Sequence, residues 1–290
     1  MMNYADFLSD TAGLAVPPRL QALLLYFAGT LDLISPDQTD GIHPLMVPIG
    51  ADETDGIYGF LRWPTAPKSL PIPIVRQVGS SLFLMANSAD EMLHRELAWR
   101  DAQEDESPGA LLIAANREES LYEIGDVSRT GLPLPAYFLL KVGVPTSFFE
   151  DLIEGHLERG DEMAALVTAE RACSAAPDWG RPHAIRTKLL IKLGKLEEAR
   201  DSARAALVEP IWTLGTPFEP IATLAGWKPP ITAKPYWELV EDTSKLPADR
   251  AAHFMDAIAV EGASWTDHRA ALAALYEEAE LPELAAFIRR

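Results

Sequence analysis

Three places in the sequence carry residue types that could do acid–base or nucleophilic chemistry or bind a ligand. His94 lies on a predicted helix, where an imidazole could act as a general base. The lone cysteine, Cys173, could be a nucleophile, and Arg62 with Arg76 could line a ligand pocket. A structural role is the simpler interpretation in each case: a surface histidine with ion pairs, a packed thiol, and core residues at strand ends.

Established catalytic and cofactor-binding motifs are absent from the sequence. The six histidines are scattered singly, without the paired spacing of a zinc site. There is no Gly-x-x-x-x-Gly-Lys phosphate loop, no Gly-x-Gly-x-x-Gly after a strand and no Gly-x-Ser-x-Gly elbow. We therefore expect no catalytic residue, no metal and no cofactor.

A short acidic motif occurs twice, as residues 37–42 and 52–57, with the pattern Asp-x-Thr-Asp-Gly-Ile. Asp-Gly favours the positive φ angles of tight turns, so we interpret both copies as turns that lead into strands. A calcium loop is the alternative. The motif lacks the alternating oxygen ligands and the distal glutamate of an EF-hand.

Composition and charge exclude several classes of function. The chain has 290 residues, with 43 acidic against 25 basic residues and a formal charge of −18. Such a charge argues against binding to nucleic acid or to an anionic membrane surface. One cysteine cannot form an intrachain disulfide, and the longest apolar run, residues 23–28, is too short to span a bilayer. Since the N-terminus also lacks a basic export signal, we expect a soluble, cytoplasmic protein.

The distribution of proline divides the chain into two parts. Thirteen of 23 prolines lie within residues 1–145, whereas residues 146–209 contain only two. Proline interrupts helix interiors and central strands, so the dense part should consist of short elements and loops. We predict an α+β fold, with a mixed α/β module and a short sheet in residues 1–145 and an all-α region in residues 146–290.

Periodicity predicts two helices and seven strands in the N-terminal module. The first helix covers residues 18–34, and the second begins at the N-cap Ser88, with Glu91 completing a capping box, and ends near Ala102. The acidic stretch 101–106 is predicted to be a solvated helix end or loop. The predicted strands are residues 44–49, 57–63, 72–78, 82–86, 110–114, 121–124 and 136–144.

Two segments of the helical region repeat with a spacing of 34 residues. Gly160 and Gly194 are each followed by three alanines and a proline. These residues are Ala165, Ala169, Ala172 and Pro177 in the first copy and Ala199, Ala203, Ala206 and Pro210 in the second. The pattern resembles the second half of a tetratricopeptide (TPR) repeat, in which glycine ends one helix and small residues let the next helix pack closely. The resemblance covers residues 146–210 and implies repeats at about 146–179 and 180–211.

The TPR resemblance also implies a partner-binding groove, because that family holds ligands on the inner face of its first helices. Mapped onto this chain, the groove residues are Glu150, Asp151, Glu154, Glu158, Arg181, Lys188 and Lys192. The carboxylates disfavour the acidic chaperone tails that some family members bind, and favour a basic or mixed-charge peptide. The alternative is that these residues form ordinary solvated helix faces.

The last part of the chain is predicted to cover the helical array. Residues 212–247 are rich in proline and tryptophan, and they form either a packed loop or a proline-rich ligand segment. Their three tryptophans favour the packed loop. Residues 248–260 and 266–289 are predicted to be capping helices, and Pro282 starts or kinks the last segment.

Together these patterns favour a non-enzymatic protein–protein interaction module: an adaptor, a chaperone-like protein or an assembly factor. One alternative is an immunity-type protein that masks a basic partner, since high negative charge speeds association with cations. A third possibility is an enzyme whose site lies in the N-terminal module. That site would gather Arg62, Arg76 or His94 with carboxylates in a deep pocket.

Overall fold

The computed structural model describes residues 3–64, 71–103 and 109–290 and divides into two units. The first unit comprises the chain up to Arg76 together with Leu84–Pro145. The second comprises Gln77–Phe83 and Thr146–Arg290. A sheet with short helices precedes a helical region, so the predicted α+β class is confirmed.

The five strands of the sheet lie side by side in chain order. They are β1 (Asp32–Leu33), β2 (Met46–Ala51), β3 (Ile57–Leu61), β4 (Ile74–Val78) and β5 (Ser81–Ala86). β2 pairs antiparallel with both β1 and β3, with a register shift between Pro48 and Gly50. Most of β2 is buried, whereas β5 alternates between buried and half-buried residues as a strand with one core face does. Four of the seven predicted strands are confirmed.

Helices precede and follow this sheet along the chain. They are α1 (Tyr4–Asp6), α2 (Leu20–Ala28), α3 (Ala89–Ala102), α4 (Gly109–Ala115), α5 (Asp126–Thr130) and α6 (Leu134–Tyr137), with π-helical turns at Phe7–Thr11 and Phe138–Val142. The apolar side of α2 is buried through Leu20, Leu23 and Phe27. Helix α3 likewise buries Met92, Leu93 and Leu97.

Four predicted elements of this unit are wrong in type or extent. Residues 110–114 belong to α4, residues 136–144 form α6 and a π-helical turn, and residues 121–124 form no strand. Each is a short apolar run, and such a run cannot distinguish a strand from a buried helical turn. The first helix ends at Ala28 because the chain turns at Gly29, and the amide of Ile34 then bonds to Ile49 at 2.9 Å beside the sheet.

The start of α3 follows the predicted capping pattern with one difference. The Ser88 hydroxyl accepts a hydrogen bond from the Glu91 amide at 3.1 Å, as an N-cap does. The Glu91 carboxylate reaches back to the amide of Asn87, at 3.0 Å, rather than to that of Ser88. The prediction of a helix start at Ser88 is confirmed.

Asp101, the first residue of the predicted acidic stretch, lies in the last turn of α3 and is not simply solvated. The Asp101 carboxylate accepts hydrogen bonds from the Gly125 amide, at 2.8 Å, and from the Tyr122 hydroxyl. It therefore ties the end of α3 to the segment that precedes α5. Residues 104–106, the rest of the predicted acidic stretch, lie outside the described residues.

Both copies of the repeated acidic motif form turns. In the second copy, the Asp52 carboxylate accepts hydrogen bonds from the amides of Thr54 (2.9 Å) and Gly56 (3.0 Å), and β3 starts at the next residue. In the first copy, Gly41 has a φ of 68° and β2 begins five residues later. The interpretation as turns that lead into strands is confirmed.

The second unit consists mainly of helices. They are α7 (Thr146–Glu158), α8 (Glu162–Ala175), α9 (Gly180–Lys192), α10 (Leu196–Ala206), α11 (Phe218–Ala225), α12 (Lys234–Glu241), α13 (Pro247–Glu261), α14 (Trp265–Glu278) and α15 (Pro282–Arg289), with a 3-10 turn at Ile211–Thr213. The predicted last helix is divided at Glu280, whose φ is 59°, and Pro282 starts α15.

The segment rich in proline and tryptophan is packed, as its tryptophans predict. Trp212 is buried, and Trp227 and Trp237 are half-buried against a cluster that includes Ile221 and Tyr236. Instead of an irregular loop, the segment contains the short helices α11 and α12. Among the residues that the structure describes, no helix has both the length and the apolar character needed to cross a bilayer.

Candidate partner-binding groove

Two antiparallel helix pairs, α7–α8 and α9–α10, form the frame of the candidate groove. Glycine ends the first helix of each pair, with φ of 74° at Gly160 and 73° at Gly194. This left-handed conformation is available to glycine without a steric penalty. The following amides, of Asp161 and Lys195, bond back to the last turn at 2.9 Å in both pairs. The chain therefore reverses sharply after α7 and after α9.

Small side chains let the second helix of each pair pack closely. The alanines at the repeated offsets are all fully buried, with 0% exposure: Ala165, Ala169, Ala172, Ala199, Ala203 and Ala206. A methyl group at these positions allows the helix backbones to approach one another. The helices that the 34-residue spacing predicted are thus present with their expected packing.

An apolar floor lies between α7 and α9. Ile153 and Leu157 contribute to it from α7, and Ile185 and Leu189 contribute from α9. These side chains line a cavity of ≈ 100 Å³, but Ile153, Ile185 and Leu189 are only 3–5% exposed, and Leu157 is half-buried. A second cavity of ≈ 490 Å³ continues past Leu157 toward the turn at Gly160, and the two cavities share Leu157. The accessible part of this floor is therefore centred on Leu157.

Charged side chains of opposite sign border this floor. Glu150 and Glu154 stand on the α7 side, and Lys188 and Lys192 stand on the α9 side. Glu158 and Glu162 extend the acidic border along the second cavity. We call the floor and these two borders the α7–α9 groove.

The two borders occupy equivalent positions in the two helix pairs. Lys188 follows Glu154, and Lys192 follows Glu158, at the same 34-residue spacing that separates the two glycines. The same position on the helix therefore carries a carboxylate in the first pair and an ammonium in the second. The described residues offer none of these four side chains an ion-pair partner.

Two of the seven residues predicted for the groove, Arg181 and Asp151, line neither cavity. The Arg181 guanidinium pairs with Glu150, donates to the Gly215 carbonyl at 2.7 Å, and lies 4.9 Å from the centre of the Phe83 ring. It therefore links α7 to α9 and serves packing. Asp151 is exposed and lines neither cavity.

The groove mapped from the TPR resemblance contains only charged side chains and leaves out the apolar residues between them. Ile153 with Leu157, and Ile185 with Leu189, are four residues apart and thus share a helix face with the charges beside them. That spacing is visible in the sequence. What the sequence does not show is that α7 and α9 lie next to each other along these faces.

His94, the candidate general base, is part of an aromatic cluster. Its Nε2 lies 2.9 Å from the Tyr137 hydroxyl, and its ring centre lies 5.7 Å from that of Tyr122. Burial lowers the pKa of His94, although the nearby Asp126 carboxylate opposes this shift. His94 is half-buried and not a fully exposed surface histidine, because Tyr137 of α6 and Tyr122 pack against its ring. The contacts of His94 are those of a packed residue.

Arg76, a candidate ligand-binding residue, is held by the second acidic turn. Its Nε donates to the Asp52 carboxylate at 2.6 Å, and its Nη2 donates to the Thr54 hydroxyl at 2.7 Å. The hydrogen bond from Arg76 keeps the pKa of Asp52 well below its usual range. Arg62 is buried at the end of β3. Both arginines therefore have positions typical of structural residues.

The thiol of Cys173 is packed, as predicted. It is half-buried between α8 and α9, with its Sγ 3.7 Å from Nδ1 of His183. Burial raises the pKa of Cys173, which keeps the thiol protonated and weakens it as a nucleophile. No group of three His, Cys, Asp or Glu side chains suited to a metal was found within residues 3–64, 71–103 and 109–290.

The sequence is similar to a plant protein along almost its whole length. The relative is an Arabidopsis thaliana protein named "Protein IN CHLOROPLAST ATPASE BIOGENESIS, chloroplastic", and it is 34% identical over 304 aligned residues. The alignment covers 99% of this chain and 90% of the relative. No solved structure matches the chain.

The resemblance to the TPR family is wrong. Residues 146–228 match the family model described as the PAB middle domain, and this range contains both predicted repeats. Glycines that end helices and alanines that close helix interfaces recur wherever helix pairs pack tightly. The 34-residue spacing therefore reflects packing, and it does not identify a TPR ancestry.

Two further family models cover most of the remaining chain. The model described as PAB N-terminal matches residues 2–142, and the PAB C-terminal domain matches residues 243–290. The three models match in chain order, and the relative aligns across all of them. The chain therefore belongs to the PAB family.

Proposed function

We propose that this chain is an assembly factor in the biogenesis of an ATPase and that it acts by binding a protein partner. The observation that carries this proposal is the relative named for chloroplast ATPase biogenesis. Identity of 34% extends over 99% of this chain and 90% of the relative, so the two proteins align over nearly their whole length. A function that depends on either unit could therefore be common to both.

The α7–α9 groove is the surface we propose for the partner. Its centre carries the half-buried Leu157, and an apolar side chain within a charged border is the usual composition of a protein interface. Leu157 lines both cavities and stands at the centre of the groove. Side chains at the centre of an interface generally contribute most to affinity.

A basic or mixed-charge segment of the partner suits the charges of this groove. Three carboxylates of α7, at Glu150, Glu154 and Glu158, and Glu162 at the start of α8 stand against two lysines of α9. The net charge of −18 adds a long-range attraction for a basic partner. Arg181 neutralises only Glu150, so the excess of carboxylates remains.

A binding role without catalysis agrees with the surroundings of the reactive residues. His94 and Arg76 are held by aromatic and acidic neighbours that fix their positions, and the Cys173 thiol stays protonated. The relative is described as chloroplastic. We propose that this chain is located in the compartment in which its host assembles the ATPase. The cytoplasmic location expected from the sequence remains a prediction.

Deletion of the gene in its host, followed by quantification of assembled ATPase on native gels, tests the proposal. We expect the amount of assembled complex to fall several-fold and to return when the wild-type chain is supplied. Leu157→Arg should fail to restore it, because a cation then occupies the apolar floor. Met163→Arg is the matched control, since Met163 is 70% exposed on α8 and lines neither cavity.

Normal assembly in the deletion strain would contradict the proposed function. Full rescue by a Leu157→Arg protein would contradict the assignment of the groove. The thermal unfolding of both variants must match that of the wild type, so that a failed rescue reports lost binding and not lost folding.

A further inference from the structure

We infer that a cavity between α3 and the π-helical turn at Phe138–Val142 binds a carboxylate that carries an apolar group. Arg95 pairs with the carboxylate, and Trp99 and Phe138 contact the apolar group. This site, called the α3 cavity below, belongs to the first unit and is independent of the α7–α9 groove and of ATPase assembly. A free organic acid and the C-terminal carboxylate of a protein share this chemistry, and the experiment distinguishes them.

The α3 cavity has the size and composition of a site for a small ligand. Its volume is ≈ 330 Å³, and the described residues that line it are Arg95, Glu96, Trp99 and Phe138. Ligand pockets in proteins start at about 300 Å³ and combine aromatic walls with a few polar groups. Arg95 and Trp99 are four residues apart on α3 and therefore share a helix face, whereas Phe138 comes from the π-helical turn.

The guanidinium of Arg95 has no counter-ion within ion-pair distance among the residues that the structure describes. Its Nη1 donates to the Met85 carbonyl at 2.8 Å, and its Nη2 lies 3.0 Å from Sδ of Met92, which is a weak acceptor. The side chain is half-buried. Because a buried charge without a counter-ion is costly, a ligand that brings a negative charge gains more here than at an exposed arginine.

The carboxylates near Arg95 are bonded to other groups. Glu96 accepts a hydrogen bond from Nε of Arg100 at 2.6 Å, and Glu91 accepts one from a backbone amide before α3 at 3.0 Å. Burial lowers the pKa of Arg95, although Tyr26, Glu91 and Glu96 oppose this shift. The loss of hydration therefore outweighs the attraction of these neighbours, and the cation is only partly compensated.

Trp99 indicates that the ligand has an apolar group beside its carboxylate. Its side chain is 47% exposed at the cavity, whereas Phe138 is only 8% exposed. An inorganic anion bound to Arg95 would leave this indole surface in water, and an apolar group would cover it. A single negative charge also suits the site better than a dianion, because the Glu96 carboxylate lines the same cavity.

Three probes with the same apolar group test the inference on the full-length chain. They are 3-phenylpropionate, its amide and 3-phenylpropylamine, and their affinities are measured by calorimetric titration and by saturation-transfer NMR. We expect 3-phenylpropionate to bind with a Kd of about 1 mM or lower. The amide and the amine should bind at least about tenfold more weakly, because neither one supplies a negative charge to Arg95.

Two variants test the residues, with a third as the matched control. Arg95→Met should weaken the binding of 3-phenylpropionate by at least about tenfold and keep or raise the unfolding midpoint, since it removes a poorly compensated cation. Trp99→Ala should weaken binding several-fold without loss of folding, because Trp99 is partly exposed. Arg171→Met should leave binding unchanged, since it removes the same charge at an exposed position of α8.

A short peptide that ends in phenylalanine distinguishes the two sources of the carboxylate. Tighter binding by this peptide than by 3-phenylpropionate, lost when its C-terminus is amidated, would assign the site to a protein C-terminus. Binding of 3-phenylpropionate without binding of the peptide would assign it to a free organic acid.

Three results would overturn the inference: equal binding of the three probes, no binding of either the acid or the peptide at millimolar concentration, or undiminished binding by a folded Arg95→Met protein. If Arg95→Met does not fold, the comparison of the probes on the wild type and the Trp99→Ala variant still decide.

Discussion

Gly59 and Gly155 occupy backbone positions with opposite requirements. A Cβ at Gly59, in β3, would lie 2.4 Å from the Val47 carbonyl oxygen and 2.8 Å from Cγ of Met46, across the strand pair. A Cβ at Gly155, within α7, would meet nothing closer than Nη1 of Arg159 at 3.4 Å. The first position therefore excludes a side chain, and the second tolerates one.

We expect Gly59→Ala and Gly155→Ala to change stability in opposite directions. Gly59→Ala should lower the free energy of unfolding by about 2 kcal/mol, because the backbone of β2 must move to admit the methyl group. Gly155→Ala should raise it by about 0.5–1 kcal/mol, because alanine loses less entropy in a helix. Thermal unfolding midpoints of the two variants measure the difference, and shifts of the same sign would contradict the account of β2 and β3.

Asp256 predicts a pH dependence of stability. This carboxyl lies buried in α13 and accepts a hydrogen bond from the Ile211 amide at 2.7 Å. Burial raises the pKa of Asp256 from 3.8 to about 7, although the hydrogen bond opposes the shift. Because the folded state favours the protonated carboxyl, its contribution to stability is complete below about pH 4 and is lost as the pH rises through about 7.

Asp256→Asn should remove this dependence, since the amide stays neutral and its Oδ1 can still accept from Ile211. Relative to the wild type, the variant should gain about 1–3 kcal/mol between pH 5 and pH 8. Thermal unfolding of both proteins across this range gives the measurement. A difference between them that does not change with pH would show that the carboxyl titrates outside this window.

At the scale of elements, the closeness of the helix pairs depends on alanine. Ala169 is fully buried on α8 and belongs to the cluster that contains Ile153 and Ile185. Ala175, at the end of the same helix, is exposed. A larger side chain should therefore be costly at one position and harmless at the other.

We expect Ala169→Leu to destabilise the chain by about 1–3 kcal/mol, because the added carbons force α8 away from its neighbours. Ala175→Leu should stay within about 0.5 kcal/mol of the wild type. The comparison requires only thermal unfolding of the two variants. Equal stability would mean that the pairs are not packed through their small residues.

The sequence was informative where a single local signal decides the structure. Ser88 marks the start of α3, Asp52 marks a turn before a strand, and Gly160 and Gly194 mark helix ends. These residues act through their own backbone or through neighbours within four positions. Four strands could be predicted for the same reason, because each is a short apolar run bounded by local turn signals.

The sequence was misleading where distant contacts decide. The run Ala110–Ala114 is apolar enough for either a strand or a helix, and only its neighbours make it helical. Charge and helix position placed Arg181 in the predicted groove. Neither of them shows that its guanidinium contacts the Gly215 carbonyl and the Phe83 ring. The floor of the groove was missed because it requires two helix faces to lie side by side.

At the scale of the whole molecule, the excess of negative charge predicts a dependence on salt. Screening at high ionic strength weakens long-range attraction and exposed ion pairs, whereas contacts with an apolar floor persist. We expect the affinity for the partner to fall several-fold between low and high salt without being abolished. Titrations of the purified chain with its captured partner measure this, and an affinity independent of salt would exclude a role for the charged borders.

Site-specific photo-cross-linking in the host tests the central claim most directly, namely that the α7–α9 groove holds a protein of the ATPase. A photoreactive amino acid is placed at Leu157, in the groove, and separately at Met163, on the exposed side of α8. The account predicts that position 157 yields a cross-link to an ATPase subunit and that position 163 does not. Cross-links to an ATPase subunit from position 163 alone, or none to such a subunit from position 157, would contradict it.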